Sequence, residues 1–236
     1  MMALRILAVF AAVVATQSCR AQNDSPQAKS DVHLRLVITR QGKGFLPPAV
    51  AWLQPMQPIS SLSLDPKRTY TLLQKDRSFK PHLLVVPVGS EVLFPNADPF
   101  YHNVFSLFDG KRFDLGLYEA GSTKRVTFSR EGVSYIFCNI HPEMSAVVIA
   151  LSTPFYATAD TKETFMIRDV PTGEYELHTW VEGVPQPILD RASRRVHVTA
   201  NSGDIGTMNI AEVPARRDTH LNEYGQPYGQ EPKPTY

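Results

Sequence analysis

The sequence lacks the features that would place it in several common classes of protein. Its 236 residues carry 24 basic and 23 acidic side chains, and a formal net charge of +1 gives no support for nucleic-acid binding. Beyond the N-terminus there is no apolar stretch long enough to cross a membrane. No segment keeps a helical hydrophobic period, whereas 19 prolines and many valines and isoleucines are typical of an all-β protein.

Cysteine is scarce, with only Cys19 and Cys138 in the chain. There is no Cys-x-x-Cys pair for a zinc finger and no Cys-x-x-Cys-His motif for covalent haem. If Cys19 is removed with an export signal, Cys138 is the only thiol left, which excludes an internal disulfide and a binuclear thiolate centre. None of the seven histidines stands two residues from another, so the His-x-His pairs of multicopper oxidases are missing.

The N-terminus has the pattern of a targeting segment. Arg5 precedes an apolar run over residues 6–15, and small and polar residues follow it, which predicts a secretory signal over residues 1–21. The apolar run is too short to span a bilayer. We therefore expect a periplasmic or secreted protein. A lipid anchor at Cys19 is the alternative, although the residues before this cysteine fit a lipobox poorly.

The rest of the chain divides into two strand-rich parts, one at its two ends and one in the middle. Strand patterns at 31–40 and 49–53 come first, and strand–turn–strand over 165–177 is followed by strands near 194–200 and 205–210. Between them, turn residues separate short predicted strands at 69–75, 82–88, 90–95, 103–107, 123–129, 133–138 and 145–151. Residues 213–236 are rich in Pro, Gly and Gln without apolar periodicity, so we predict a disordered tail.

The residues that indicate chemistry stand near the middle of the chain. Cys138, His141 and Met144 form a Cys-x-x-His-Pro-x-Met motif, and His102 stands 36 residues before the cysteine. A soft thiolate, two imidazoles and a thioether are the ligands of a trigonal copper site with a weak axial sulfur. Pro142 stiffens the loop that carries three of the four. The pattern therefore predicts one metal site.

Two other interpretations of these residues stay open. Cys138 and His141 could form a nucleophile and base, although no third group is evident to orient the histidine. Cys138 could also be a buried cysteine beside unrelated histidines. His82 is a further candidate ligand but is more typical of a structural or surface histidine. The remote Met166 and Met208 are predicted to fill a core.

With these motifs in place, residues 66–152 resemble a cupredoxin, the type 1 blue copper fold of amicyanin and plastocyanin. The short Cys-x-x-His-Pro-x-Met loop is most similar to that of amicyanin. The resemblance implies a Greek-key β-sandwich that binds one type 1 copper ion. It also implies that Asn103 hydrogen-bonds across to the cysteine loop. The implied copper ligands are His102, Cys138 and His141 in the equatorial plane and Met144 on the axis.

The flanking residues 31–56 and 153–212 resemble two halves of a carboxypeptidase-regulatory-like, or transthyretin-like, β-sandwich. The whole chain is then similar to secreted bacterial proteins called methylamine-utilisation-like, with a cupredoxin inserted into a second sandwich. The resemblance implies a non-enzymatic carrier that exchanges single electrons with redox protein partners through the edge of His141. The alternative is copper delivery or storage, or a non-catalytic interaction role at the cell envelope, on the same fold.

Overall fold

The computed structural model describes residues 27–39, 47–59, 64, 68–107 and 110–211. The predicted signal segment 1–21 with Cys19, and the predicted tail 213–236, lie outside the described residues. Among the described residues, every regular element except one short helix is a β-strand, so the all-β class is confirmed.

The strands fall into three groups along the chain. The first group comprises β1 (Lys29–Thr39) and β2 (Ala49–Pro55). The second comprises β3 (Thr69–Thr71), β4 (Leu73–Gln74), β5 (Phe79–Lys80), β6 (Leu83–Pro87), β7 (Glu91–Pro95), β8 (His102–Ser106), β9 (Phe113–Tyr118), β10 (Thr123–Thr127), β11 (Gly132–Phe137) and β12 (Ser145–Leu151). The third comprises β13 (Tyr156–Thr158), β14 (Thr164–Pro171), β15 (Gly173–Val181), helix α1 (Gln186–Ala192), β16 (Arg194–Val198) and β17 (Asp204–Ala211).

Strands of the first and third groups form two sheets, which we call the flanking sandwich. One sheet has the order β14-β1-β17, with β1 antiparallel to β14 and parallel to β17. The other has the order β13-β2-β15-β16 and is antiparallel throughout. Alternate residues of β1, among them Val32, Leu34 and Leu36, are buried in the apolar core that the two sheets share. This is the burial that a period of two produces.

Strands β3 to β12 form three further sheets, two large and one small, which we call the inserted sandwich. A five-stranded sheet has the order β6-β12-β11-β8-β9, a three-stranded sheet has the order β10-β7-β3, and β4 pairs with β5. Its core contains Phe94 and Phe128 together with Cys138 and Met144. In sequence the inserted sandwich lies between β2 and β13, which pair directly with each other. The chain therefore leaves and re-enters the flanking sandwich at neighbouring strands.

Strand β12 is buried on both faces, because the two cores use alternate residues of it. Its odd-numbered residues from Val147 to Leu151 belong to the core of the flanking sandwich, and its even-numbered residues from Ala146 to Ala150 to the core of the inserted sandwich. The neighbouring β6 repeats this with Val85 and Val86. A continuous apolar run is what burial on both faces requires. The two sandwiches thus share one sheet as a common wall.

Polar contacts reinforce this wall near the start of β12. His82 Nε2 lies 2.7 Å from Glu182 Oε1, and His82 Nδ1 lies 3.0 Å from the carbonyl oxygen of Ser145. Trp180 Nε1 donates to the hydroxyl of Tyr135 at 3.3 Å. Both nitrogens of His82 therefore face protein acceptors, which gives this histidine a structural role rather than that of a ligand.

Four elements lie where the sequence pattern predicted none, namely the short strands β5 and β13, the longer strand β9, and helix α1. Strand β9 contains Asp114 and Gly116, which are uncommon in strands, and it is held by pairing with β8. Helix α1 has seven residues, with Pro187 in its first turn, where the missing N–H costs nothing, and Leu189 buried. Two turns are too short to show a periodic pattern.

The prediction for Met166 is wrong, because its position on β14 leaves the side chain 45% exposed, whereas Met208 is buried as predicted.

Among the described residues, no helix has both the length and the apolar character needed to cross a bilayer.

Candidate metal centre

Three side chains that can bind a metal converge at one end of the inserted sandwich. His102 is the first residue of β8, Cys138 directly follows β11, and His141 lies in the loop between β11 and β12. Strand β11 lies between β8 and β12 in the five-stranded sheet, and Phe137 pairs with Phe105 of β8. Adjacent strands therefore bring together residues that lie far apart in sequence.

The distances within this cluster fit a single metal ion. Cys138 Sγ lies 3.7 Å from Nδ1 of His102 and 3.7 Å from Nδ1 of His141, and the two Nδ1 atoms are 3.2 Å apart. The point equidistant from the corners of such a triangle lies about 2 Å from each atom, close to ordinary metal–nitrogen and metal–sulfur bond lengths. Among the described residues, this is the group of His, Cys, Asp and Glu side chains that can hold a metal ion.

Burial of the cluster is uneven. His102 and Cys138 are 0% exposed, whereas His141 is only partly buried. The ring of Phe100 lies 5.3 Å from the His102 ring and 5.5 Å from the His141 ring, measured between centroids. The guanidinium of Arg77 lies 5.4 Å from the centroid of Phe100. Phe100 thus covers both imidazoles, and the edge of His141 is the part of the cluster nearest to solvent.

Met144 is tied to the same loop through its backbone. Its N–H donates to the carbonyl of His141 at 3.0 Å, and its carbonyl accepts from the N–H of Cys138 at 3.3 Å. The side chain is 1% exposed and belongs to the same core as Cys138. The seven-residue loop is therefore closed by main-chain bonds, with its thioether directed into the protein.

Asn103 connects the two chain segments that carry His102 and Cys138. Its Oδ1 accepts a hydrogen bond from the N–H of Asn139 at 3.3 Å, and its Nδ2 donates to Asp114 Oδ1 at 2.8 Å. This is the cross-loop bond that the sequence analysis expected of Asn103. It holds the residue after Cys138 against strand β8.

The protonation of the cluster follows from its burial and its contacts. Burial raises the pKa of Cys138, but its bond with His102 and those from backbone N–H groups outweigh burial and hold the pKa below the ordinary value. Burial lowers the pKa of His102, but Cys138 and Asp98 outweigh it and raise the pKa. Burial lowers the pKa of His141, and the neighbouring His102 lowers it further. The cluster favours a thiolate, which is the form of cysteine that binds metals.

Asp98 is a residue of the centre that the sequence analysis did not find. Its Oδ2 lies 2.9 Å from His102 Nε2, and the side chain is 6% exposed. Burial raises the pKa of Asp98, but hydrogen bonds from His102 and from the N–H groups of Arg77 and Asp76 outweigh burial and hold the pKa below its usual range. Asp98 lies in the irregular segment between β7 and β8, where no periodicity points to it. The available signal was an acidic residue four positions before a candidate ligand.

Comparisons with known proteins find similarity in solved structures alone. No protein-family model and no curated protein sequence matches this chain. A purple cupredoxin from Nitrosopumilus maritimus is 24% identical, covers 35% of this chain and 99% of its own, and has a TM-score of 0.32. Amicyanin from Paracoccus versutus is 18% identical over 42% of this chain and 91% of its own, with a TM-score of 0.33.

A copper-containing nitrite reductase from Thermus scotoductus SA-01 is also similar to part of the chain. It is 23% identical over 48% of this chain, with a TM-score of 0.35. The match spans 28% of the reductase chain. Each of these structures resembles a part of this protein and assigns no role to it.

Proposed function

We propose that this chain is a mononuclear type 1 copper protein that carries single electrons between redox proteins. The observation that carries the proposal is the convergence of Cys138 Sγ with Nδ1 of His102 and Nδ1 of His141 around one point. A thiolate and two imidazoles with a weak axial thioether, here Met144, are the ligands typical of blue copper sites.

The residues around the cluster hold its three side chains in a fixed geometry. His102 and Cys138 are fully buried, and Asn103 ties their segments together. Phe100 lies against both imidazoles and limits the access of water. When bound, copper would supply a one-electron Cu(II)/Cu(I) couple, which takes an electron from a reduced partner protein and gives it to an oxidised one. A rigid set of ligands changes little between the two oxidation states.

The partly exposed His141 supports a route for the electron. It is less buried than the other two members of the cluster, so its imidazole edge is the shortest connection from the centre to a docked protein. Transient electron-transfer interfaces are small and need only a limited contact area. We propose no bond-making reaction at this site, so the protein would be a carrier rather than an enzyme.

The same proposal extends to the organisation and location of the chain. Residues 66–152 would be the cupredoxin unit, inserted into a carboxypeptidase-regulatory-like sandwich of residues 31–56 and 153–212. The direct pairing of β2 with β13 supports this arrangement. Residues 1–21 would direct export to the periplasm, with a lipid anchor at Cys19 as the alternative.

The test is a titration of the mature chain with Cu(II), followed by visible spectroscopy. We expect an intense blue or green thiolate-to-copper band that saturates at one copper per chain, is bleached by ascorbate and returns on reoxidation. Absence of this band would contradict the proposal. Colourless retention of Cu(I), or rapid loss of copper to a weak chelator, would favour delivery or storage instead.

A further inference from the structure

The second hydrogen bond of a buried histidine shows which of its nitrogens can bind a metal. His102 points Nδ1 at Cys138 Sγ and at His141 Nδ1, and points Nε2 at Oδ2 of Asp98, 2.9 Å away. A neutral imidazole carries one proton, so the nitrogen without it has the free lone pair. A carboxylate only accepts hydrogen bonds, so it holds the proton on Nε2 when the lone pair of Nδ1 is used for a metal. This leaves the lone pair of Nδ1 directed at the metal position.

The carboxylate is itself held from several sides. Its Oδ1 accepts from the N–H of Asp76 at 2.7 Å, and its Oδ2 accepts from the N–H of Arg77 at 3.1 Å. The N–H of Asp98 donates to Asn96 Oδ1 at 3.0 Å. Asp76 and Arg77 have positive φ values of 56° and 50°, which are unfavourable for residues with side chains. The N–H groups of both residues donate to the Asp98 carboxylate, and these hydrogen bonds offset the conformational cost of the positive φ values.

The two histidines of the cluster differ in this respect. Among the described residues, His141 makes no comparable bond to a carboxylate, and its contacts are with Cys138, His102 and Phe100. Only one imidazole is therefore oriented by a buried negative charge. A carboxylate behind a ligating histidine makes that ligand a stronger electron donor.

We propose that Asp98 is a positioning residue for copper, an inference that rests on the proposed function. Asp98 fixes the Nε2–H form of His102, sets the orientation of its ring and strengthens Nδ1 as a donor. A stronger donor favours the more highly charged Cu(II) over Cu(I), so Asp98 lowers the reduction potential of the centre.

The experiment compares Asp98→Asn with Glu143→Gln in the mature, copper-loaded protein. Both substitutions remove one carboxylate charge, but Glu143 is exposed on the ligand loop, whereas Asp98 bonds directly to His102. Competition with a chelator measures Cu(II) affinity, and a redox titration measures the potential. For Asp98→Asn we expect a loss of about 10–100-fold in Cu(II) affinity, the usual effect of losing such a partner, and a raised potential. For Glu143→Gln we expect only a small change, because solvent screens an exposed charge. Equal effects of the two substitutions would overturn the proposal.

A second measurement does not depend on copper. Long-range ¹H–¹⁵N spectra of the metal-free Cys138→Ser variant, in which no thiolate competes for the proton of Nδ1, report which nitrogen of neutral His102 carries the proton. We expect this proton on Nε2, and a mixture of the two forms when Asp98→Asn is added. A proton on Nδ1 in the Cys138→Ser variant would refute the role of Asp98 even if the visible band of the wild type is present. If the wild-type chain shows no visible band with Cu(II), the proposed function is refuted. The position of the proton on His102 would still be a valid result.

Discussion

The two sandwiches share a wall but bury different kinds of side chain. The core of the flanking sandwich consists of apolar residues. Of the ten buried polar or charged residues among those described, eight lie between β4 and β11, and only Thr153 and Thr179 lie outside the inserted sandwich. Buried polar groups cost stability unless they are hydrogen-bonded. Asp98 bonds to His102, and Asn103 accepts from the N–H of the residue that follows Cys138. The flanking sandwich therefore supplies apolar stability, whereas the inserted sandwich accepts polar burial to build a site.

The largest expected effect is loss of copper binding by the inserted sandwich while both sandwiches stay folded. Cys138→Ser removes the thiolate, so we expect no intense visible band after addition of Cu(II). The matched control is His178→Gln, which changes a histidine of the flanking sandwich and should keep the full band. Retention of the wild-type band by Cys138→Ser would show that the ligand assignment is wrong.

Two substitutions to alanine, one in each core, compare the two cores directly. Leu177 of β15 and Ile136 of β11 are both 0% exposed, and changing either to Ala should lower the free energy of unfolding by about 2–5 kcal/mol. Ile136 lies on the same face of β11 as Cys138, so only Ile136→Ala should also alter the copper band. Urea unfolding and visible spectra of the folded variants measure the two effects. An equal change of the band in Leu177→Ala would break the comparison.

A third prediction concerns the shared wall. Both tryptophans, Trp52 and Trp180, lie in the flanking sandwich, whereas the copper band would report on the inserted one. Because β12 belongs to both cores, we expect the two signals to be lost in one unfolding transition. Free copper at about 100 times its dissociation constant should raise the free energy of unfolding, measured by tryptophan fluorescence, by about 2.7 kcal/mol. Two separate transitions would show that the sandwiches unfold independently.

The smallest effect should come from the axial position. Met144→Gln replaces the weak thioether ligand, and we expect the band to remain while the reduction potential falls, since the axial ligand tunes that potential. Met56→Gln, at a methionine that is 43% exposed beside β2, is the control and should leave the potential unchanged. A redox titration of both variants decides the point, and an unchanged potential in Met144→Gln would argue against axial ligation.

The convergence of Cys138 with His102 and His141 could be predicted because most of its chemistry is concentrated in a short motif. Cys138, His141 and Met144 are close in sequence, and strand alternation gives the direction of the cysteine. Asp98 could not be predicted in the same way, because its contact with His102 depends on an irregular segment held by the N–H groups of another turn. Local patterns do not carry such tertiary contacts.

The fold was predictable to a similar degree and for similar reasons. Strands with strong alternation, such as β1, were found from the sequence, whereas β9 depends on pairing with β8 for its existence. The continuous apolar run of β12 indicated a strand but not that two cores meet on it. The outward position of Met166 depends on which face of β14 packs inward, which only the assembled sheet determines.

The place where the chain leaves β2 and returns at β13 has a consequence for how such a protein can be altered. Leu53 N–H bonds to the carbonyl of Phe155 at 2.9 Å, so a tight hairpin could replace everything between these two strands without changing their register. A metal-binding cassette could be grafted or exchanged at this point. The graft would still need an apolar surface to replace the odd-numbered side chains of β12, because Trp180 would otherwise be left facing water.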